Sequence, residues 1–249
     1  MSMRPGLCSI TYRRLSAAQV VLTAASAGLE AIEWGGDVHV PPGDVVRAAE
    51  IGRMTADAGL AVSSYGSYWR GEGEFGPVLD AATALGADRI RVWAGRIGSV
   101  DADAGDRARI TGALADAVEQ AAACGVLVAL EYHGGTLADG PGAVRRLQDD
   151  VPGLGTYWQP SVGVPAAAAL AEYAEIAERV AAVHVFSWWP TVERRRLHER
   201  DDLWGPLFRR AQEPRDALIE FVPDDDPALL AAEAETLRRW IADAADCGD

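Results

Sequence analysis

Residues 125–136 read GVLVALEYHGGT. A run of large aliphatics from Val126 to Leu130 ends on an acid, Glu131, and a second polar ring follows at His133. The run has the length of one buried strand and is far too short to span a bilayer. Before it lies an amphipathic stretch from Ala104 to Cys124, closed by Gly125 as a helix-stop signal. This is one helix–turn–strand unit, and the polar residues sit where the strand ends.

The same unit recurs along the chain. Strand-like runs begin near Gly6 (GLCSITY), Leu29 (LEAIEW), Leu60 (LAVSSYG), Asp88 (DRIRVWA), Val126 (VLVALEYH), Leu154 (LGTYWQ), Ala181 (AAVHVFSWW) and Asp216 (DALIEFV), at spacings of 23 to 38 residues. Ala-rich helical stretches lie between them, such as Ser16–Ala27 with Ser16 as N-cap and Asp44–Ala58 before Gly59. Gly28, Gly59, Gly86 and Gly125 each precede a strand-like run, where a helix must stop and the chain turn back. Strands alternating with helices imply right-handed crossovers and a parallel sheet. Eight such units in 249 residues predict a single (β/α)8 barrel spanning residues 1–249. The alternative, an open doubly wound sheet, usually carries a Gly-rich first turn when it binds a dinucleotide, and TYRRLS is not one.

Composition removes several chemistries. All 23 basic residues are Arg, and the chain has neither Lys nor Asn. Schiff-base lysine chemistry, a Walker-type phosphate loop and N-glycosylation are therefore excluded. The net charge of −14 opposes a phosphate backbone. The densest basic run, Arg194, Arg195 and Arg196 with Arg200, reads as a solvated loop or helix face. Cys8, Cys124 and Cys247 are far apart and odd in number, against a disulfide framework or a Cys-based zinc site. No apolar export signal is present in MSMRPGLCSITYRR, so a soluble, cytoplasmic protein without membrane or nucleic-acid partners is expected.

Active sites of such barrels gather at the C-terminal strand ends. The polar residues there are Glu33, Glu131, His133, Gln159, His184 and Glu220. For Glu33 the competing role is an ion pair with an Arg. Ionised carboxylates are rarely buried alone. Glu131, His184 and Glu220 arriving at one rim point to a divalent cation, with Gln159 adding a neutral oxygen. Such a set suits Mn2+, Mg2+ or Co2+, and Zn2+ also fits. His133 shares a face with Glu131, and His39 is placed to reach in from the loop after the second strand. Trp34, Trp69, Trp93, Trp158, Trp188 and Trp189 fall at or just after strand ends, as a pocket wall that stacks on a sugar or polyol would require. Loop packing is the plainer role for at least some of them.

GLEAIEW, LEYHGGT, VHV and LIEFV, in this order, resemble the sugar isomerase/epimerase superfamily with a xylose isomerase-like barrel, over essentially the full length. The resemblance implies metal ligands at Glu131, Gln159, His184 and Glu220, with Gln159 standing where the family usually has Asp. That substitution removes one negative charge. It also implies Glu131 and Glu220 as the acid and base that pass a proton through an enediol. His133, His39, Trp34, Trp69, Trp93, Trp158 and Trp188 are the expected substrate contacts. A metal-dependent isomerase or epimerase of a sugar or polyol is the leading expectation, and a homo-oligomer is compatible with the resemblance. A dehydratase or lyase on an inosose- or dehydroshikimate-like ring would use the same enediolate. A non-catalytic sugar-binding barrel with a degenerate metal site is the third reading. The DNA-processing branch of the superfamily needs a His-rich cluster and a basic groove, which four histidines and −14 charges do not supply.

Overall fold

The computed structural model describes residues 3–211 and 214–246. Cys247 lies outside the described residues. Seven strands run in chain order as β1 (Arg4–Cys8), β2 (Ala31–Gly35), β3 (Ala61–Gly66), β4 (Arg89–Val92), β5 (Leu127–Glu131), β6 (Gly155–Trp158) and β7 (Val180–Val185). A short antiparallel hairpin, β8 (Ser187–Trp188) and β9 (Arg194–Arg195), follows. β10 (Asp216–Ile219) then closes the barrel by pairing in parallel with both β7 and β1. The fold is the expected (β/α)8 barrel.

The outer ring holds α1 (Ala17–Ser26), α2 (Val45–Asp57), α3 (Gly76–Leu85), α4 (Ala104–Ala122), α5 (Pro141–Asp150), α6 (Ala166–Ile176), α7 (Asp201–Phe208) and α8 (Leu230–Asp246). Ser16 and Gln19 form a capping box at the start of α1, and Asp44 and Asp103 cap α2 and α4. α3 ends on Gly86, at φ 81°, where a side chain would be strained. No described helix is long and apolar enough to cross a membrane.

The sheet separates two interiors. Most buried aliphatics pack between strands and helices, among them Leu7, Ile32, Val128 and Val183. A small second cluster holds Cys8, Ile10, Ala129, Tyr157, Ala182 and Leu218. Alternation places the residues two positions on from three of these, Glu131, His184 and Glu220, on the same inward face. β4 reads Arg-Ile-Arg-Val, and both arginines are buried. Between β2 and β3 the register slips: Ile32 pairs with Val62 but Glu33 with Ser64. This bulge lets the neighbouring Ser63 and Ser64 serve different partners inside the barrel: Asp216 and Glu33 respectively.

The arginine run after β8 is only in part the solvated face expected of it, with Arg194 and Arg195 part-exposed at 31% and 40%. Arg196 pairs with the buried Glu233, and Arg200, itself buried, donates to the Trp188 carbonyl and lies 4.7 Å from the Trp189 ring. The cause is the hairpin, which folds this segment back over α8 instead of leaving it in solvent.

Candidate active site

Four consecutive strands around the barrel, β5, β6, β7 and β10, bring Glu131, Gln159, His184 and Glu220 to one end. Gln159 bridges them. Its Nε2 donates to Glu131 Oε1 at 3.4 Å, and its Oε1 lies 3.1 Å from His184 Nδ1. Glu220 Oε2 lies 3.4 Å from the same Nδ1. Across the imidazole, Nε2 sits 3.4 Å from Glu33 Oε1 but lacks hydrogen-bond geometry to it.

Arg91 joins this cluster from β4. Its Nε donates to Glu33 Oε1 at 3.0 Å, and its Nη1 donates to Glu131 Oε2. Ser64 Oγ donates to Glu33 Oε2 at 2.7 Å. Gly66 makes room, because a Cβ there would stand 2.7 Å from Arg91 Nη2 and 2.9 Å from Glu33 Oε1. Glu33 is thus held as an ion-pair partner of an arginine.

Burial and partners set the charges. Burial works against an ionised Glu33, but Arg91 and His184 outweigh it and hold the carboxyl well below the usual range. Burial pushes Glu220 up to about 7, against the pull of His184. Burial also opposes a charged His184, yet Glu220 and Glu33 raise its pKa. The Cys8 thiol is pushed up by burial and by Glu33. Three carboxylates, Glu33, Glu131 and Glu220, face one guanidinium, so with all three ionised the end of the barrel carries an excess of two negative charges before His184 is counted.

That excess and the donor set fit a divalent cation. With Nε2 turned to a carboxylate, His184 presents Nδ1 to Gln159 Oε1, which can only accept, and to Glu220 Oε2. Three lone-pair atoms this close need a proton or a cation among them. The group that among the described residues brings three ligand atoms within 4.8 Å of one another is a different one, Cys8, Glu33 and His184. There the Glu33 oxygens are already engaged by Arg91 and Ser64.

A cavity of about 700 Å3 opens on this cluster and is lined by Glu131, Gln159, Glu220, Arg91, His133, Trp93, Trp188 and Phe221, among others. Among the expected substrate contacts, His133, Trp93 and Trp188 line it. Both faces of the Trp93 ring are occupied. The Arg70 guanidinium lies 3.6 Å from its centroid and the His133 ring is stacked at 4.2 Å, and two groups so close to one ring take opposite faces. Only the edge of Trp93 is left for a ligand. Trp188 packs against Phe221, whose backbone is held at φ 59° in the loop after β10.

The other expected contacts stand elsewhere. Trp34 is fully buried and its Nε1 donates to Thr55. His39 is buried between Ser9 and the Leu15 carbonyl, edge-on to Trp34. Trp69 packs on Phe75 and lines two smaller clefts away from the cluster. Trp158 is buried between Tyr173 and Trp204. Arg91 was not singled out from the sequence. Its signal is the period-two spacing of Arg89 and Arg91 within DRIRVWA, which puts both on one face of a strand.

A closed parallel barrel with an acid, amide, imidazole and acid on four successive strand ends defines a class of barrel enzymes and binding proteins. The xylose isomerase-like TIM barrel family model matches residues 21–240, and the chain belongs to that family. No protein of curated function matches it. Among solved structures it is similar to the probable 3-DHS dehydratase AsbF of petrobactin synthesis from Bacillus anthracis, at 18% identity, TM-score 0.75, covering 95% of this chain and 99% of that one. It is similar to a xylose isomerase-like TIM barrel protein from Mycobacterium smegmatis in complex with magnesium, at 15% identity, TM-score 0.70, covering 97% of each. It is also similar to D-psicose 3-epimerase with D-tagatose from Clostridium cellulolyticum, at 14% identity, TM-score 0.65, covering 96% and 98%. At these identities the likeness is one of fold.

Proposed function

We propose that the protein is a divalent-metal-dependent isomerase or epimerase of a sugar or polyol, acting through an enediolate, with the single barrel of residues 1–249 as the functional unit. The observation that carries this reading is that Glu131 and Glu220 open on one cavity from either side of His184 and Gln159. Glu131, Gln159, His184 and Glu220 would hold the cation. When bound, it supplies Lewis-acid polarisation of a carbonyl and its neighbouring hydroxyl.

The protein groups supply the rest. A carboxylate over the C–H beside the carbonyl takes the proton, and the opposite carboxyl returns one to the other face or the neighbouring carbon. Burial, which raises Glu220, suits it to carrying a proton near neutral pH. Glu33 orients His184 through Nε2, and Arg91 fixes the orientation of Glu131. Trp188 and Phe221 form an apolar wall against C–H surface and keep bulk water from the enediolate.

The test is proton exchange. Protein supplied with Mn2+ or Co2+ in D2O is expected to exchange the α-proton of a ketopentose or ketohexose, followed by NMR, and to interconvert the epimers. Absence of both with a panel of ketoses removes this reading. Loss of water from the product would instead identify the dehydratase.

A further inference from the structure

The enolisation proposed above gives Arg91 no role beyond its ion pairs, yet one edge of its guanidinium is left over. Nε is used on Glu33 and Nη1 on Glu131, while Nη2 is buried with no hydrogen-bond partner. A buried charged donor without an acceptor is unfavourable, so its retention calls for one. Gly66 fills the space behind Nη2 so closely that a methyl there would collide at 2.7 Å. Arg91 itself reaches the wall of the cavity, beside Glu131, Gln159 and Glu220.

The charges around Arg91 say what kind of acceptor fits. Its positive charge is already outnumbered by Glu33, Glu131 and Glu220, so without a bound cation a permanently anionic group would meet net repulsion. A neutral carbonyl oxygen that becomes anionic only during reaction fits instead. We infer that Arg91 is a third catalytic residue, whose Nη2 N–H donates to the substrate oxygen that turns into the oxyanion. The inference rests on the enolisation reading. In that step the C–H pair becomes the new C=C bond, the carbonyl π pair moves onto oxygen, and the proton goes to the carboxylate. Reprotonation reverses each movement. A donor aimed at the developing charge is the kind of group whose loss slows such reactions most.

Oxalate, a planar mimic of the enediolate, is the probe, titrated calorimetrically into protein with and without Mn2+. Arg91→Lys keeps the charge and removes the third edge. At saturating Mn2+ it is expected to weaken oxalate by about tenfold or more, a larger loss than its effect on Mn2+ itself. Gly66→Ala keeps every charged side chain but crowds Nη2 and, less closely, Glu33 Oε1, so it is expected to give the same selective loss of oxalate at saturating Mn2+. It decides alone if Arg91→Lys does not fold. Oxalate affinity equal to wild type in a folded variant overturns the assignment. So does a parallel loss of Mn2+ and oxalate in both, which marks Arg91 as purely structural. If the wild type exchanges no α-proton but the selective oxalate loss is seen, the enolisation reading falls and the donor role stands.

Discussion

β4 places one arginine at each end of the barrel interior, and the two ends differ in how they are completed. At the N-terminal end, both terminal nitrogens of Arg89 find acceptors within the chain, and only Nε is left without one. Arg89 pairs with Asp216 and donates to the Ala181 and Ser63 carbonyls, and Arg4 and Ser63 donate to the same Asp216 at 2.6 and 2.8 Å. Here three guanidiniums, those of Arg4, Arg89 and, at 3.8 Å, Arg215, share one carboxylate. At the C-terminal end one guanidinium faces three carboxylates, its Nη2 has no hydrogen-bond partner, and a cavity opens. The first end is an internal plug. The second is short of positive charge, as the proposed cation and oxygen-bearing ligand would require.

The sharpest way to break this comparison is to remove an anion from the plug. Asp216→Ala strands Arg4 and Arg89 and is expected to cost about 3–5 kcal/mol. The melting temperature should fall by on the order of 10 °C. An unchanged melt would show that this end is not a structural plug. The matching change at the other end is Glu220→Gln, expected to lower proton-exchange turnover by roughly 10²–10⁴-fold with the melting temperature nearly unchanged. A large loss of stability with it would place Glu220 in the scaffold.

A smaller effect sharpens the charge argument. Mn2+ at about a hundred times its Kd should stabilise the wild type by about 2.7 kcal/mol, seen as a raised melting temperature. His184→Gln should abolish the increment, whereas Asp216→Asn should keep it. Chelation should remove catalytic exchange and added Mn2+ restore it.

Acid separates the ends further. Burial opposes ionised Asp216, but Arg4 and Arg89 win and lower its pKa in the fold. Its contribution is therefore present above the ordinary carboxylate pKa and is lost as pH falls through the lowered folded value. The unfolded chain takes up the proton first, by up to about 1.4 kcal/mol per pH unit. Asp216→Asn should flatten that acid limb in denaturant titrations. The smallest effect concerns the tryptophans. Trp34→Phe loses the bond to Thr55 and should cost about 1 kcal/mol without changing KM. Trp188→Phe should raise KM with little change in melting.

The sequence was most readable where a polar residue interrupts an apolar run. Glu131, His184 and Glu220 betray themselves because nothing in an ordinary strand core would keep them. Arg89 and Arg91 obey the same logic, but DRIRVWA contains little apolar background against which an inward arginine stands out. Their partners are tens of residues away, so pairing is invisible before the barrel closes. The tryptophans show the complementary limit. Position along the chain puts Trp34, Trp93 and Trp188 near strand ends, but alternation sends Trp34 outward to the helices, and Arg70 and His133 claim the faces of Trp93.

The bulge in β3 carries one further consequence. A strand normally gives each interior layer every second residue, yet Ser63 and Ser64 are adjacent and serve opposite ends of the barrel. The extra residue acts as a half-step in the strand's phase. Deleting one residue between Val62 and Ser64 would restore regular alternation, and Asp216 and Glu33 could no longer both keep their hydroxyl partner. The barrel's two ends are therefore coupled in sequence space: a length change of one residue in β3 disturbs both, whereas the chain between Gly98 and Asp103, outside any strand or helix, has no such phase to keep.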